Sequence, residues 1–416
     1  MKISDYCLEV AERAELAAYE MACVGGAVKN AWLREVSKLI ELRSDYILAE
    51  NRKDVEAASD LTSAEVDRLL LNRERLGEIA IAMREIEMFP DPVGGVIESS
   101  IRPSGIEVQK VRVPLGVIFF IYESRPNVTP DAAAICIKSG NAVILRGGKE
   151  AINSNIAFAE ILSEAATKTA LPANAVQLVR TTDRDAVGEF LRMSDKITVT
   201  IPRGGESLIR RITSEAKMPV IKHFAGNCHV YIDRAAEEDI AISVTVNSKC
   251  QRLGVCNAAE SLVIHSDISG TILPKVLDEL LRCGVEVRGC ERTCKIFPQA
   301  IPVNETDFGM EYHDAIISVK IVDSIGEAIE HINFYSDKHT EAIITSDLAA
   351  AREFTSKIDS SAVMVNASTR FNDGCQFGLG AEIGISTDKL HARGPCGIKE
   401  LTTYKYVVYG NGQIRK

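Results

Sequence analysis

The chain opens with apolar residues at helical spacing. In "AWLREVSKLIELRSDYILAENRKDV", Leu33, Val36, Leu39 and Ile40 fall on one face with charges opposite, and residues 4–90 read as helical. Pro90, Pro92, Gly94 and Gly95 in "FPDPVGGVIESS" end that pattern. Two short β-rich runs follow, "VIESSIRP" and "IEVQKVRVP", flanking Ser104-Gly105 as a hairpin would. From residue 114 the period changes again. "GVIFFIY" (116–122), "AVILR" (142–146), "AVQLV" (175–179), "ITVTI" (197–201) and "MPVIK" (218–222) are almost wholly apolar, and a segment of helical length separates each from the next. Strands without a polar face, alternating with helices, predict a doubly wound α/β domain. Such a parallel sheet is covered on both sides and takes its ligands beyond the carboxyl ends of its strands. A second strand–helix series runs through "SLVIH", "TILPKVLDELLRC", "VEVRG", "AIISVKIV", "SIGEAIEHI", "EAIIT" and "AVMVN", and the tail "ELTTYKYVVYG" is strand-like again.

A chain of 416 residues is long enough for two or three cores. The net charge of −10, with no concentrated basic stripe, argues against a nucleic-acid partner. No apolar run approaches the ~20 residues of a membrane helix, so no membrane partner is expected. The start "MKISDYCLEVAERAELAAYE" reads as a capped amphipathic segment rather than a signal peptide. Eleven cysteines without an export signal then imply reduced thiols and a cytoplasmic location. No metal is expected. Cys283, Cys290 and Cys294 cluster without a C-x2-C pair, and His223 and His229 bracket Cys228 without a zinc-binding arrangement. The serine-hydrolase elbow G-x-S-x-G is also missing.

A G-x-G-x-x-G fingerprint is absent from every strand-to-helix turn; "GLGAEIG" (378–384) follows no strand, and "LRGGKEA" (145–151) has the wrong spacing for a P-loop. Even so, Arg146, Gly147, Gly148 and Lys149 close one predicted strand ahead of a helix, and Arg203, Gly204 and Gly205 close another. Glycines there let backbone approach a ligand, and the cations could hold a phosphate. Singly, each is ordinary turn chemistry. Two at the carboxyl ends of one sheet favour a phosphate-bearing cofactor.

"SKCQRLGVCNAAESLVIH" (248–265) holds Cys250 and Cys256, and a lone cysteine in such a place is usually a small buried side chain. Here the wider sequence decides. "IYESRPNVTPDAAAICIKSGNAVILRGGKEA", "IPRGGESL", "HFAGNCHVY", "CQRLGVCNAAESL", "VDSIGEAIEHINFYSDKHTEAI", "VNASTRFNDG", "FGLGAEIGIST" and "HARGPCGIKELTTYKY" together resemble the aldehyde dehydrogenase superfamily, most closely its gamma-glutamyl phosphate reductase branch, from about residue 5 to the end. Asp337 departs from the Ser or Thr of that branch.

The resemblance implies two doubly wound α/β domains plus a small β oligomerisation element. It divides the chain into a dinucleotide-binding domain (1–95 and 114–225), a catalytic domain (226–390), and an oligomerisation hairpin with a C-terminal strand (96–113 and 400–416), which together would make a homo-oligomer, most simply a two-fold dimer. It makes Cys256 the nucleophile and leaves Cys250 structural. It gives Asn127 the side-chain amide of the oxyanion hole and Glu311 the carboxylate on the nicotinamide ribose. Arg146 and Lys149 become candidates for the 2′-phosphate of NADP, and Arg125, Lys249 and Arg393 for the anionic groups of the substrate, each with an inter-domain salt bridge as its alternative. Hydrolytic members carry a Glu about 33 residues before the nucleophile; His223 stands there, and loss of a general base typically removes ~10²–10⁴ of assistance to water. The implied reaction is reduction of L-glutamyl 5-phosphate by NADPH to L-glutamate 5-semialdehyde and phosphate, with a separate glutamate 5-kinase as supplier and transient partner. An NAD-dependent aldehyde dehydrogenase making a free acid remains the second reading, and a catalytically silent ligand-binding protein the third.

Overall fold

The structure, a computed structural model, describes residues 2–59, 61–222, 225–379 and 381–415. The described residues fall into two compact units: one from 1–222, 378–384 and 396–416, the other from 223–377 and 385–395.

In the first unit, helices α1 (Ile3–Met21), α2 (Gly26–Leu42), α3 (Ser44–Ala57), α4 (Ser63–Leu69) and α5 (Arg73–Met88) precede any strand. Their packing follows their apolar spacing: α1 buries Cys7, Val10, Ala11, Ala14 and Met21, and α2 buries Trp32, Leu33, Val36, Leu39 and Ile40. The hairpin β1 (Val96–Ile101) and β2 (Glu107–Pro114) turns through Gly105, whose φ of +83° suits a residue without a Cβ. Strands β3 (Val117–Tyr122), β4 (Ala142–Arg146), β5 (Val176–Leu178) and β6 (Val199–Arg203) form a parallel sheet in the order β5-β4-β3-β6. Helices α6 (Val128–Lys138), α7 (Ile152–Thr169), α8 (Asp185–Arg192) and α9 (Glu206–Glu215) alternate with these strands. Every residue of β3 and β4 is buried, because α1 and α8 cover one face of the sheet while α6 packs on the other. "MPVIK" is not a strand of its own: only Val220 bridges, to Thr200.

The second unit holds β7 (Cys228–Ile232), β8 (Ala259–His265), β9 (Glu286–Gly289), β10 (Ile301–Pro302), β11 (Ile316–Val322), β12 (Thr340–Ile344) and β13 (Ala362–Val365). They make one parallel sheet in the order β10-β9-β11-β8-β7-β12-β13. Helices α10 (Glu238–Cys250), α11 (Ser266–Ser269), α12 (Leu273–Arg282), α13 (Glu291–Ile296), α14 (Ile325–Tyr335) and α15 (Leu348–Lys357) alternate with its strands. One side of the sheet packs through Leu262, Ile264, Val276, Leu277, Leu280 and Val319. The other packs through Tyr231, Val263, Ile329, Ile332 and Phe354. A two-stranded ladder of β14 (Gly384–Ser386) and β15 (Gly394–Cys396) forms where the chain passes between the units.

Strand β16 (Thr402–Tyr409) returns to pair antiparallel with β2, giving a three-stranded sheet β1-β2-β16. The compact units draw some of the expected boundaries differently. This sheet groups with the first unit instead of standing apart, because β2 runs within three residues into β3 and the Asn141 side chain donates to Leu401 O at 2.8 Å. Residues 378–384, expected in the catalytic domain, also group with the first unit; there Gly384 packs against the Arg203 side chain.

Candidate active site

In the second unit the polar residues collect at the amino ends of the strands, opposite to the end a doubly wound sheet leads one to expect. Asn227 precedes β7, Cys256 and Asn257 precede β8, Glu311 and His313 precede β11, and His339 precedes β12. Asn227, His229, Glu260, His339, Thr340 and Glu341 are completely buried, which demands a connected network. Glu341 anchors it by accepting from His229 N at 2.8 Å, His229 Nδ1 at 3.1 Å, Ser360 Oγ at 3.1 Å and Ser336 Oγ. Asn227 donates its amide to Phe308 O and Tyr335 O, and its backbone N–H to Asp337.

Cys256 lies partly exposed on the turn between α10 and β8. Its backbone is gripped from several directions. The Cys228 thiol donates to Cys256 O at 3.2 Å, Thr369 Oγ1 donates to Asn257 O at 2.7 Å, and the Asn257 amide donates to Asn372 O at 3.0 Å. Gly226 passes so close that a Cβ there would meet Cys256 O at 1.9 Å, so this glycine is required by contact and not by its dihedral angles. Burial pushes the Cys228 thiol well above the ordinary range, and burial with the neighbouring Cys283 thiol pushes Cys250 up to about 12. Neither suits a nucleophile, which must react as the thiolate. Arg370, from "VNASTRFNDG", donates to Gln251 Oε1 at 2.8 Å; its guanidinium, lowered in pKa first by burial, also feels the charges of Cys256 and Arg252.

Glu311 is nearly buried. One oxygen, Oε2, meets His313 Nε2 at 3.0 Å, while Oε1 has no hydrogen-bond partner among the described residues. A buried carboxylate oxygen left open is a ready acceptor for a hydroxyl donor such as a ribose. Lys249, expected at a substrate anion, is completely buried and held by Glu260 at 2.6 Å, so its charge is neutralised inside the protein. Arg393 pairs with Asp359 at 2.9 Å and also donates to Asp359 O. His223 lies outside the described residues.

In the first unit the candidates stand at the carboxyl ends of β3, β4 and β6, where the strand order reverses between β3 and β6. Asn127 lies at the N-terminus of α6 and donates its amide to Asp131 Oδ2 at 3.1 Å. Burial raises the Asp131 carboxyl to about 6, while Asn127 and Arg203 pull the other way. Arg125 is exposed on the same loop. Gly147 is packed against Asn155 and the Tyr122 ring, where a Cβ would fall 2.2 Å from Asn155 Nδ2; a Cβ on Gly148 would meet Glu150 and Ser124. Arg146 does not face outward: its guanidinium donates to Gly147 O and Thr182 O, so it braces the loop that ends β4. Lys149 is exposed on the turn that follows. At β6, Glu123 accepts from Gly205 N at 3.0 Å and lies where a Gly204 Cβ would be, so the chain's own carboxylate caps the N-terminus of α9. That turn is not the open phosphate cradle its glycines suggest.

Glu123, Asp131, Cys228, His313 and Arg370 are among the residues of this arrangement to which the sequence assigns no role. Only Asp131 has a readable signal, its i,i+4 spacing from Asn127.

Comparison with known proteins gives the family and the fold. The aldehyde dehydrogenase family model matches residues 5–298. The chain is 54% identical to gamma-glutamyl phosphate reductase of Rhodopirellula baltica, over 98% of this chain and 95% of that one. It is 50% identical to the Moorella thermoacetica enzyme of the same name, over 97% of each. The crystal structure of gamma-glutamyl phosphate reductase from Thermotoga maritima superposes with a TM-score of 0.97 at 44% identity, covering 99% of this chain and 100% of that one. The chain has the aldehyde dehydrogenase fold and belongs to the aldehyde dehydrogenase family, within it to the gamma-glutamyl phosphate reductases.

Proposed function

We propose that the chain reduces L-glutamyl 5-phosphate to L-glutamate 5-semialdehyde and phosphate, with NADPH as reductant and a thioester at Cys256. The observation that carries this reading is the pairing of a partly exposed Cys256 with a carboxylate bearing one unpartnered buried oxygen, Glu311, at the same end of one sheet. The names of relatives about half identical to this chain supply the substrate.

Cys256 attacks the acyl carbon as the thiolate, the reactive form of a cysteine. Asn127, oriented by Asp131, donates its amide to the oxyanion in the role the resemblance gives it. Phosphate departs, and the acyl group stays on Cys256 as a thioester. Bound NADPH supplies the hydride that takes this thioester to the aldehyde level; expulsion of the Cys256 thiolate then frees the product. Glu311 Oε1 fits the ribose hydroxyls, and Lys149 is the cation left for the 2′-phosphate once Arg146 is engaged with backbone carbonyls. Arg125 and Arg393 are the candidates for the substrate anions, and Lys249 leaves that set.

The test is the reverse reaction. Glutamate 5-semialdehyde should reduce NADP⁺ only when phosphate is present, whereas reduction without phosphate, yielding glutamate, would support the hydrolytic reading instead. Asn127→Ala should lower kcat by roughly 10²–10³, the usual effect of losing one oxyanion donor. Unchanged kcat would remove Asn127 from the mechanism. The exposed Ile101, Tyr404, Tyr406 and Val408 on the β1-β2-β16 sheet support a homo-oligomer, and light scattering after removal of residues 404–416 tests it: an unchanged mass rejects that surface.

A further inference from the structure

The loop ahead of β11 holds Glu311, Tyr312 and His313 in a conformation with a cost. His313 has φ +53°, in the left-handed region that side chains usually avoid and that histidine enters more readily than most. Two anchors keep it there. Tyr312 turns to one side, donating to Asp307 O at 3.0 Å beside the Arg288 guanidinium. The backbone N–H of His313 turns to the other, toward Glu260 Oε1 at 3.3 Å, on a carboxylate whose second oxygen is fixed by Lys249. So held, the imidazole reaches back two residues to one oxygen of Glu311 and leaves the other without a partner among the described residues.

We propose that His313 is a protonation-sensitive positioning residue for the cofactor: by clamping Glu311 Oε2 it keeps Oε1 aimed at the nicotinamide ribose, and cofactor affinity falls as the imidazole loses its proton. This rests on the reading of Glu311 as the ribose carboxylate. Glu311, Glu260 and Lys249 face the imidazole, and the Glu311 carboxylate also faces Asp337 and the Cys228 thiol. Glu311 therefore has two carboxylates near it, and the imidazole, bonded to Oε2, holds its carboxylate in one orientation. The hydrogen bond that the imidazole donates to Glu311 raises the His313 pKa above the usual histidine range, against the effect of partial burial. The clamp is accordingly full at low pH and weakens as pH rises through that raised value.

Calorimetric binding of NADPH between about pH 6 and about pH 8.5 tests this without turnover. Asparagine tolerates the left-handed backbone and does not titrate, so H313N is the informative variant. Wild-type affinity should fall about three- to fivefold more than that of H313N across the range, the effect of a charge pair worth up to ~1 kcal/mol. E311Q should bind weakly at every pH. Parallel pH curves for wild type and H313N, with E311Q weakened, would overturn the clamp alone; unaltered binding by E311Q would overturn the ribose reading and the clamp with it. NMR titration of the ligand-free protein gives a second measurement. The His313 midpoint should move down in E311Q, and an unmoved midpoint rejects the pairing.

Discussion

Replacing Cys256 with alanine should abolish turnover while NADPH still binds with near-normal affinity. The thiol forms the covalent link to the acyl group and has no part in holding the dinucleotide, so kcat and the dissociation constant should separate completely. Two other cysteines make the comparison sharp. Cys250 and Cys228 both carry thiols pushed up by burial, so neither offers a useful thiolate near neutral pH. Cys250→Ala should keep most activity. Cys228→Ala loses the bond to the Cys256 carbonyl and should lower kcat modestly through a looser turn. Steady-state kinetics and calorimetry on the three variants decide the matter. An active Cys256→Ala beside a silent Cys250→Ala or Cys228→Ala would move the nucleophile elsewhere.

The second large effect is on stability. Lys249→Met removes one partner of a completely buried ion pair and leaves the Glu260 carboxylate with the His313 N–H and close to Glu311, a change that typically costs about 3–5 kcal/mol. Burial already raises the Glu260 carboxyl to about 7 against the pull of Lys249, and without that lysine it must rise further. A carboxyl whose folded pKa lies above its unfolded one destabilises when ionised, so the loss should be largest above the folded pKa and shrink as pH falls and the group takes up a proton. Adding Glu260→Gln should recover much of the loss, because the stranded charge disappears. Denaturant unfolding at a high and a low pH measures both effects. A loss under about 1 kcal/mol at high pH, or no recovery in the double variant, would show that the pair is not holding the base of β8.

Much of this architecture was legible in the order of residues. Fully apolar runs such as "GVIFFIY" and "AVILR" became strands buried on both faces, and Leu33, Val36, Leu39 and Ile40 form the buried stripe of α2. Strand β7 was harder to read, because "CHVYI" begins with two polarisable residues that belong to the buried network. The site divided along a physical line. Motifs located the loops, but a formula of residue types does not say which way a long side chain turns. Arg146 and Lys249 read as ligand cations, yet both are turned inward, one to backbone carbonyls and one to Glu260. Gly204 and Gly205 read as a phosphate cradle, yet Glu123, some eighty residues earlier, caps it. Long-range partners of this kind leave no local periodicity. The placement of chemistry at the amino ends of the second sheet was likewise invisible, since the general rule for such sheets points to the other end.

The pairing of β16 with β2 also bears on how the protein is made. Asn141 waits for a backbone acceptor 260 residues further along, and β2 has β1 on one side but no neighbour on the other until residues 402–409 arrive. On the ribosome the whole second unit is synthesised while that edge stays open. The first unit is thus completed only after the second has been made, and its closure is a step of high contact order. During that interval the nascent chain carries an unpaired strand edge, which β16 then covers.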